Sequence, residues 1–331
     1  MARLPRLPIL APTILLSLAL AACGGSDSSK QAAPLSDAAA GSQQLSQESG
    51  APLITGNMAT DGLAWFNFRR QQIGLPKLTP NSLINTAAQG HSEYQKINNI
   101  ITHDQTPRNP GFTGINLEDR LSRAGYNLVP SYAIGEVIAQ TGYTNGFTAA
   151  EALITAIYHR FVIFEPIYKD AGAGYATAAS GYTYFTTDFA ATNGLGGGLG
   201  ARKFIAYPFP GQTNVPPNFF SDSEEPDPVP NRNEVGYPIS LHADINQLIS
   251  NVNFNVRRRG AGTPLATQLL ASQSDPQTPT SGVAIIPLEP LNSGATYDVA
   301  FSGSICTISP PNTACISAVT AISQSWSFTT K

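Results

Sequence analysis

Residues Leu153–Ala176 read LITAIYHRFVIFEPIYKDAGAGYA, and two abrupt changes of texture in this stretch set the fold class. The first half is apolar with helical spacing, and with the residues before it predicts a helix over Thr148–Phe164. Pro166 cannot continue that helix, and the Gly-rich turn at Asp170-Ala171-Gly172 leads into alternating residues. A hairpin is expected near Ala179-Ser180-Gly181. A helix feeding a strand and a hairpin points to a mixed α+β fold. The chain holds only four histidines, and His159 sits beside Arg160 at the end of the apolar helix. A histidine so placed either packs in the core or faces a cleft.

The texture upstream is helical. Leu63, Trp65, Phe66 and Ile73 fit one stripe, which Gly74 ends. Thr79-Pro80-Asn81 caps a second helix, with Leu83, Ala87, His91 and Tyr94 on one face. A turn-rich loop, ITHDQTPRNPGFTG (Ile101–Gly114), precedes a short helix over Leu117–Ala124 and an extended segment over Ile134–Ala139. Downstream, LGGGLG (Leu195–Gly200) lacks the strand–turn–helix setting of a nucleotide loop. FSDSEEPDPVPNRN (Phe220–Asn233) reads as a linker. From Gly236 onward, short alternating strands separated by turns predict a small β-sandwich, with Tyr297, Val299 and Phe301 on one face and Trp326 and Phe328 inward on the last strand.

The N-terminus carries Arg3 and Arg6 before an apolar run, Leu7–Leu20, too short to span a bilayer as a stable helix. That run ends in Leu20-Ala21-Ala22-Cys23, which resembles the lipobox of bacterial lipoproteins. The resemblance implies acylation of Cys23, and Gly24 after it implies outer-membrane sorting in a two-membrane cell. Gly24 to about Gly56 is rich in Ser, Gln, Ala and Gly without an aromatic residue, as expected of a flexible tether. Of three cysteines, Cys23 is thus assigned to lipid, leaving Cys306 and Cys315 to bridge across a Pro-Pro-Asn turn in an oxidising compartment. The net charge of −3 provides no basic face, which argues against nucleic acid as a partner.

His103, Glu136 and His159 each stand at the edge of an element, where their side chains can share a cleft. Histidine moves protons near neutral pH and binds divalent metals, and a carboxylate orients it or completes a metal shell. His91 reads as a packed helix residue, Arg120 and Tyr126 as structural, and His242 as a surface strand residue. The pair His103-Asp104 lacks the other ligands of a metal hydrolase. There is no G-x-S-x-G turn, and no cysteine remains free as a nucleophile.

Four blocks in order over about Ala59 to Ala190 then resemble one family. They are WFNFRRQQIGLPKLTPNSLINTAAQGHSEYQ, the His103 loop, Arg120-x-x-x-Ala124-Gly125-Tyr126 with Gly135-Glu136, and the opening stretch. The family is the CAP superfamily, SCP-like proteins that include cysteine-rich secretory proteins, antigen 5 and pathogenesis-related 1. The resemblance implies an α-β-α sandwich with His103, Glu136 and His159 around a central cavity. The second glutamate of some members has no secure counterpart: Glu151, about two turns before His159 on roughly the same helix face, is either that fourth member or a solvated helix-start carboxylate. GEVI in place of Gly-Glu-Asn-Ile, and EALITAIYHR without the usual Trp, depart from the pattern and weaken an inherited metal site. AIIPLEPLNSGATYDVAFSG and SWSFTT resemble bacterial Ig-like modules.

The expected organisation is a signal peptide (1–22), a tether (23–58), a CAP domain (59–210), a Pro/acidic linker (211–233) and an Ig-like sandwich (234–331). Three functions are open. A lipid-anchored binding protein would hold a lipid or cell-envelope component in the His/Glu cavity. A metal-assisted hydrolase or peptidase would use a divalent ion, zinc or calcium, on His103, His159 and Glu136. An adhesive or structural protein would act through the second domain.

Overall fold

The computed structural model describes residues 44–331. The expected signal peptide, Cys23 and the first part of the expected tether lie outside the described residues. The last part of the expected tether is built into the fold: Leu45 and Ala51 pack on the core, and Glu48 meets Arg69 at 2.6 Å.

The first unit comprises α1 (Met58–Gln72), β1 (Thr79–Pro80), α2 (Ser82–Asn98), α3 (Leu117–Arg123), β2 (Ala133–Thr141), α4 (Gly146–Thr155), α5 (Ile157–Ile163), β3 (Asp170–Thr177) and β4 (Thr183–Ala191). Its sheet runs β1-β3-β4-β2, with β1 parallel to β3 and the other pairs antiparallel. Strand alternation divides the helices between its faces. Val137, Phe185 and Phe189 join Trp65, Phe66 and Val162 in one apolar cluster, whereas Ile134 and Ala190 join Ile84, Leu117 and Leu121 in another. Helices α1, α4 and α5 thus cover one face, and α2 and α3 the other. Gly172 and Gly174 let α2 lie directly on the sheet: a Cβ on Gly174 would sit 2.3 Å from the Gln89 Cα.

The Asn67 and Arg70 of the first sequence block hold this frame together. Asn67 bonds both the N–H and the C=O of Leu78, and Arg70 donates to the carbonyls of Ile163 and Glu165 at the end of α5. Asn57, Asn81, Asn116 and Asn145 cap α1, α2, α3 and α4 with their side chains. Where the sequence predicts one helix over Thr148–Phe164, the structure has two. Ala156 leaves the helical region with ψ 119°, ending α4 and opening α5 without a side-chain cap of its own.

The second unit is all-β, formed by β5 (Phe204–Tyr207), β6 (Asn218–Phe220), β7 (Glu234–Gly236), β8 (Ile239–Ala243), β9 (Gln247–Arg258), β10 (Thr267–Ala271), β11 (Gly282–Pro287), β12 (Thr296–Thr307) and β13 (Thr320–Thr329). A β10-β11-β8-β5 sheet and a β13-β12-β9 sheet enclose Phe204, Phe254, Phe301 and Trp326, and β6 pairs with β7. Cys306 and Cys315 form the expected disulfide.

Three features differ from the sequence reading, each because burial across the units outweighs local composition. β5 lies in the region assigned to the CAP unit, yet it pairs with β8. Phe164 packs edge-on against Tyr207, and Phe161 and Phe164 pack against His242, so one apolar cluster runs through both units. His242 is therefore buried, bonded to Ser240, and not a surface residue. The expected linker contributes β6, part of the core through Phe219, and Glu224, which is 1% exposed.

Candidate functional site

The structure brings His103 and Glu136 together on the α2/α3 face of the sheet. Glu136 follows Gly135, where a Cβ would strike Tyr168 and Val162 on the opposite face, so the Glu136 side chain points toward α2 and α3. His103 Nδ1 lies 2.7 Å from Glu136 Oε1, and Arg120 donates to Glu136 Oε2 at 2.7 Å. The carboxylate partner makes Nδ1 a donor, and the buried Nε2 meets no hydrogen-bond partner among the described residues. A second Arg120 N–H holds the His103 carbonyl. Arg120, read from sequence as structural, therefore fixes both members of the pair.

His91 extends the cluster from α2. Its Nε2 lies 2.7 Å from the Thr102 carbonyl and 4.0 Å from Glu136, and its Nδ1 lies 2.8 Å from the Gln105 amide. Burial pushes the His91 imidazole down to about 4, against the attraction of Glu136. Burial alone would raise the Glu136 carboxyl, but Arg120, then His91 and His103, outweigh it and hold the group well below the usual carboxylate range.

Asp188 is the residue that motif reading misses. It stands opposite Glu136 in the β2–β4 register and is fully buried, and neither carboxyl oxygen meets a protein donor. Burial, then the charge of Glu136, pushes its carboxyl well above the ordinary range. A proton held on Asp188 turns one of those oxygens into a donor toward Glu136, so the acid pair carries one charge rather than two. The legible signal was an acid inside the otherwise uncharged strand TYFTTDFAA.

His159 is not part of this cluster. It lies on α5, across the sheet, fully buried against the second unit. Its Nδ1 meets Glu224 Oε1 at 2.9 Å, and Glu224 also accepts the N–H groups of Ile157, Tyr158 and His159 at 2.8, 2.7 and 3.2 Å. The N-terminus of α5 is thus capped by a carboxylate from the expected linker, 65 residues along the chain from His159. Among the described residues, Arg160 beside it has no acidic partner within ion-pair distance. It donates to the carbonyls of Ile154, Thr155 and Pro238 and stacks between Tyr207 and Tyr237, 5.0 Å from each ring. Glu151, the proposed fourth member, is bonded instead to Trp65 Nε1 and Arg69. The break at Ala156 removes the common helix face on which Glu151 would have reached His159.

This donor set does not fit a metal shared by His103, Glu136 and His159. Among the described residues, no group of three or more His, Cys, Asp or Glu side chains could hold an ion. Glu136 is committed to Arg120 and His103, and His159 to Glu224.

Open volume lies elsewhere. A groove of about 930 Å³ runs between α1 and α2 over the edge of β3, with Phe68, Lys77, Asn85 and Tyr175 among its lining. Neither it nor the small cavity between Glu165 and His242 is lined by His103, Glu136 or His159. Along the groove floor, the Asn85 and Gln89 side chains bond the open edge of β3 at Ala173 and Tyr175.

Residues 63–189 match the CAP model, the cysteine-rich secretory protein family. Among solved structures, the chain is similar to an extracellular protein containing an SCP domain from Bacillus anthracis. The identity is 25% over 42% of this chain and 44% of that one, with a TM-score of 0.33. It is also similar to an outer surface protein of Borrelia burgdorferi (15% identity, 40% of this chain, 90% of that chain, TM-score 0.33). A third is venom allergen-like protein 4 of Schistosoma mansoni (14%, 43% and 92%, TM-score 0.30). The match thus spans less than half of the Bacillus protein's length. No curated protein matches the sequence.

Proposed function

We propose that this chain, whose residues 63–189 form a CAP domain, is an exported, lipid-anchored binding protein of the cell envelope. In this reading Cys23 carries the lipid, and the protein resides at the outer membrane. The second unit, an Ig-like sandwich, serves to brace the CAP domain rather than act alone. The ligand is a lipid or other small cell-envelope component, and the groove between α1 and α2 receives it rather than the His/Glu cluster.

The observation that carries this reading is the contrast between the two places. The His103–Glu136–Arg120 cluster is closed and internally bonded, whereas the groove offers about 930 Å³, within the range of small-molecule sites. Its walls combine apolar surface with Lys77 and side-chain amides, a lining suited to a ligand with both apolar and polar parts. A metal-assisted hydrolase fits less well, because the two histidines are held by different carboxylates on opposite sides of the sheet.

Native mass spectrometry of the protein purified from its own envelope tests the proposal. A co-purifying small molecule lost on Ala64→Trp, which fills the groove, and retained on His103→Ala is expected. Retention in Ala64→Trp with loss in His103→Ala would return the ligand to the histidine cluster.

A further inference from the structure

β13 is the outer strand of its sheet, paired with β12 in an unbroken register from Thr320 to Thr329. Its other side is only half covered. The segment Gly211–Val215 takes the lower part: Gly211 donates to the Ser327 carbonyl, Thr329 donates to Gln212, and Val215 donates to the Thr329 carbonyl. These outward groups all belong to odd-numbered residues. Continuous register gives Ala321, Ser323 and Ser325 the same orientation. Their outward N–H and C=O groups meet no partner among the described residues.

The open edge of β3 is treated differently. On β3, Asn85 and Gln89 supply amides where a neighbouring strand is missing. On β13 nothing of this kind intervenes. No proline, lysine or other charge blunts the strand, although these are the usual devices on solvent-facing edges.

We infer that the open half of β13 is a self-association edge, where two copies of this chain pair antiparallel about a twofold axis at Ser323. Ser323 then faces Ser323 of the second copy, and Ala321 faces Ser325. Each facing pair exchanges both N–H···O bonds. The choice of a second copy rests on charge and on continuity. Residues 316–330 contain no charged side chain, so identical strands meet without like-charge repulsion, and a charged partner strand would find nothing to pair with. Beyond Trp326 the same edge already accepts an extended segment of this chain, which limits the new pairing to Thr320–Trp326. The twofold also places Val319, 58% exposed, beside the segment that closes the other copy's edge. This surface lies on the second unit and is independent of the groove.

The test is sedimentation velocity of the full chain in excess neutral detergent, up to about 100 µM, where a contact of micromolar affinity is nearly saturated. Two substitutions are compared. Ser323→Pro removes an outward N–H without touching the β12 ladder, and Ser323→Lys places two like charges at the axis. A concentration-dependent dimer that both substitutions convert to monomer, with urea midpoints unchanged for Ser323→Lys, is expected. A wild type that stays monomeric at the highest concentration overturns the inference, as does a dimer that survives both substitutions.

Discussion

Replacing Glu224 with alanine removes the acceptor of four hydrogen bonds at once, from three N–H groups of α5 and from His159. Losing a helix N-cap costs about 1–2 kcal/mol, and each buried donor left unpaired costs about 1–3 kcal/mol. These effects overlap, because the same N–H groups appear in both. The cost of breaking a buried, hydrogen-bonded pair, about 3–5 kcal/mol, is therefore the fitting estimate for Glu224→Ala. Glu224→Gln keeps one acceptor oxygen and should lose about 1–2 kcal/mol. With a urea dependence of about 3 kcal/mol per molar, the alanine variant shifts the midpoint down by about 1–1.7 M. The two tryptophans make the assay specific, because Trp65 reports the first unit and Trp326 the second. Single-tryptophan versions followed by fluorescence should unfold together and shift together. A loss below about 1 kcal/mol, or a shift in the Trp326 signal alone, would refute the view that Glu224 ties the two units into one core.

Burial, then the charge of Glu136, raises the Asp188 carboxyl in the folded state well above the range in which an unfolded aspartate releases its proton. Its contribution to stability is therefore complete in acid and lost as pH rises, so Asp188→Asn should raise the urea midpoint at pH 8 and leave it little changed at pH 4. Glu165, pushed up to about 8 by burial, acts in the same direction: stability falls between about pH 4.5 and 8, and Glu165→Gln should flatten that slope in urea titrations. His91 has the opposite sign. Its imidazole lies at about 4, so stability is lost as pH falls from about 6.5, and His91→Gln should reduce that acid-side loss. Gly174→Ala forces a Cβ to within 2.3 Å of the Gln89 Cα and should cost about 1–3 kcal/mol in chemical unfolding. Gly197→Ala, which meets nothing within 4 Å, should be neutral in the same assay.

The elements that sequence made legible are those whose cause is local. Asn81 before an apolar-periodic run marked the start of α2, the turn after Thr177 marked the hairpin, and alternation placed Tyr297, Val299 and Phe301 inward. The His103–Glu136 pair followed from the family blocks, and the structure joins those two residues at 2.7 Å. What escaped depends on distant partners. No periodicity marks the break at Ala156, because Glu224 caps the new helix from far along the chain. His159 stands in a familiar motif, yet the second unit decides which group its imidazole meets. Asp188 became visible only once strand register set it opposite Glu136.

The joint at Glu224 also changes what counts as a module in this chain. The family likeness ends at residue 189, and a fragment cut near there would leave Phe161, Phe164 and the start of α5 without cover. Such a fragment should aggregate where the intact chain does not. Gene fusion or duplication could not move the family-like segment to a new neighbour without also carrying Glu224 or replacing it, so the unit of likeness here is smaller than the unit that folds.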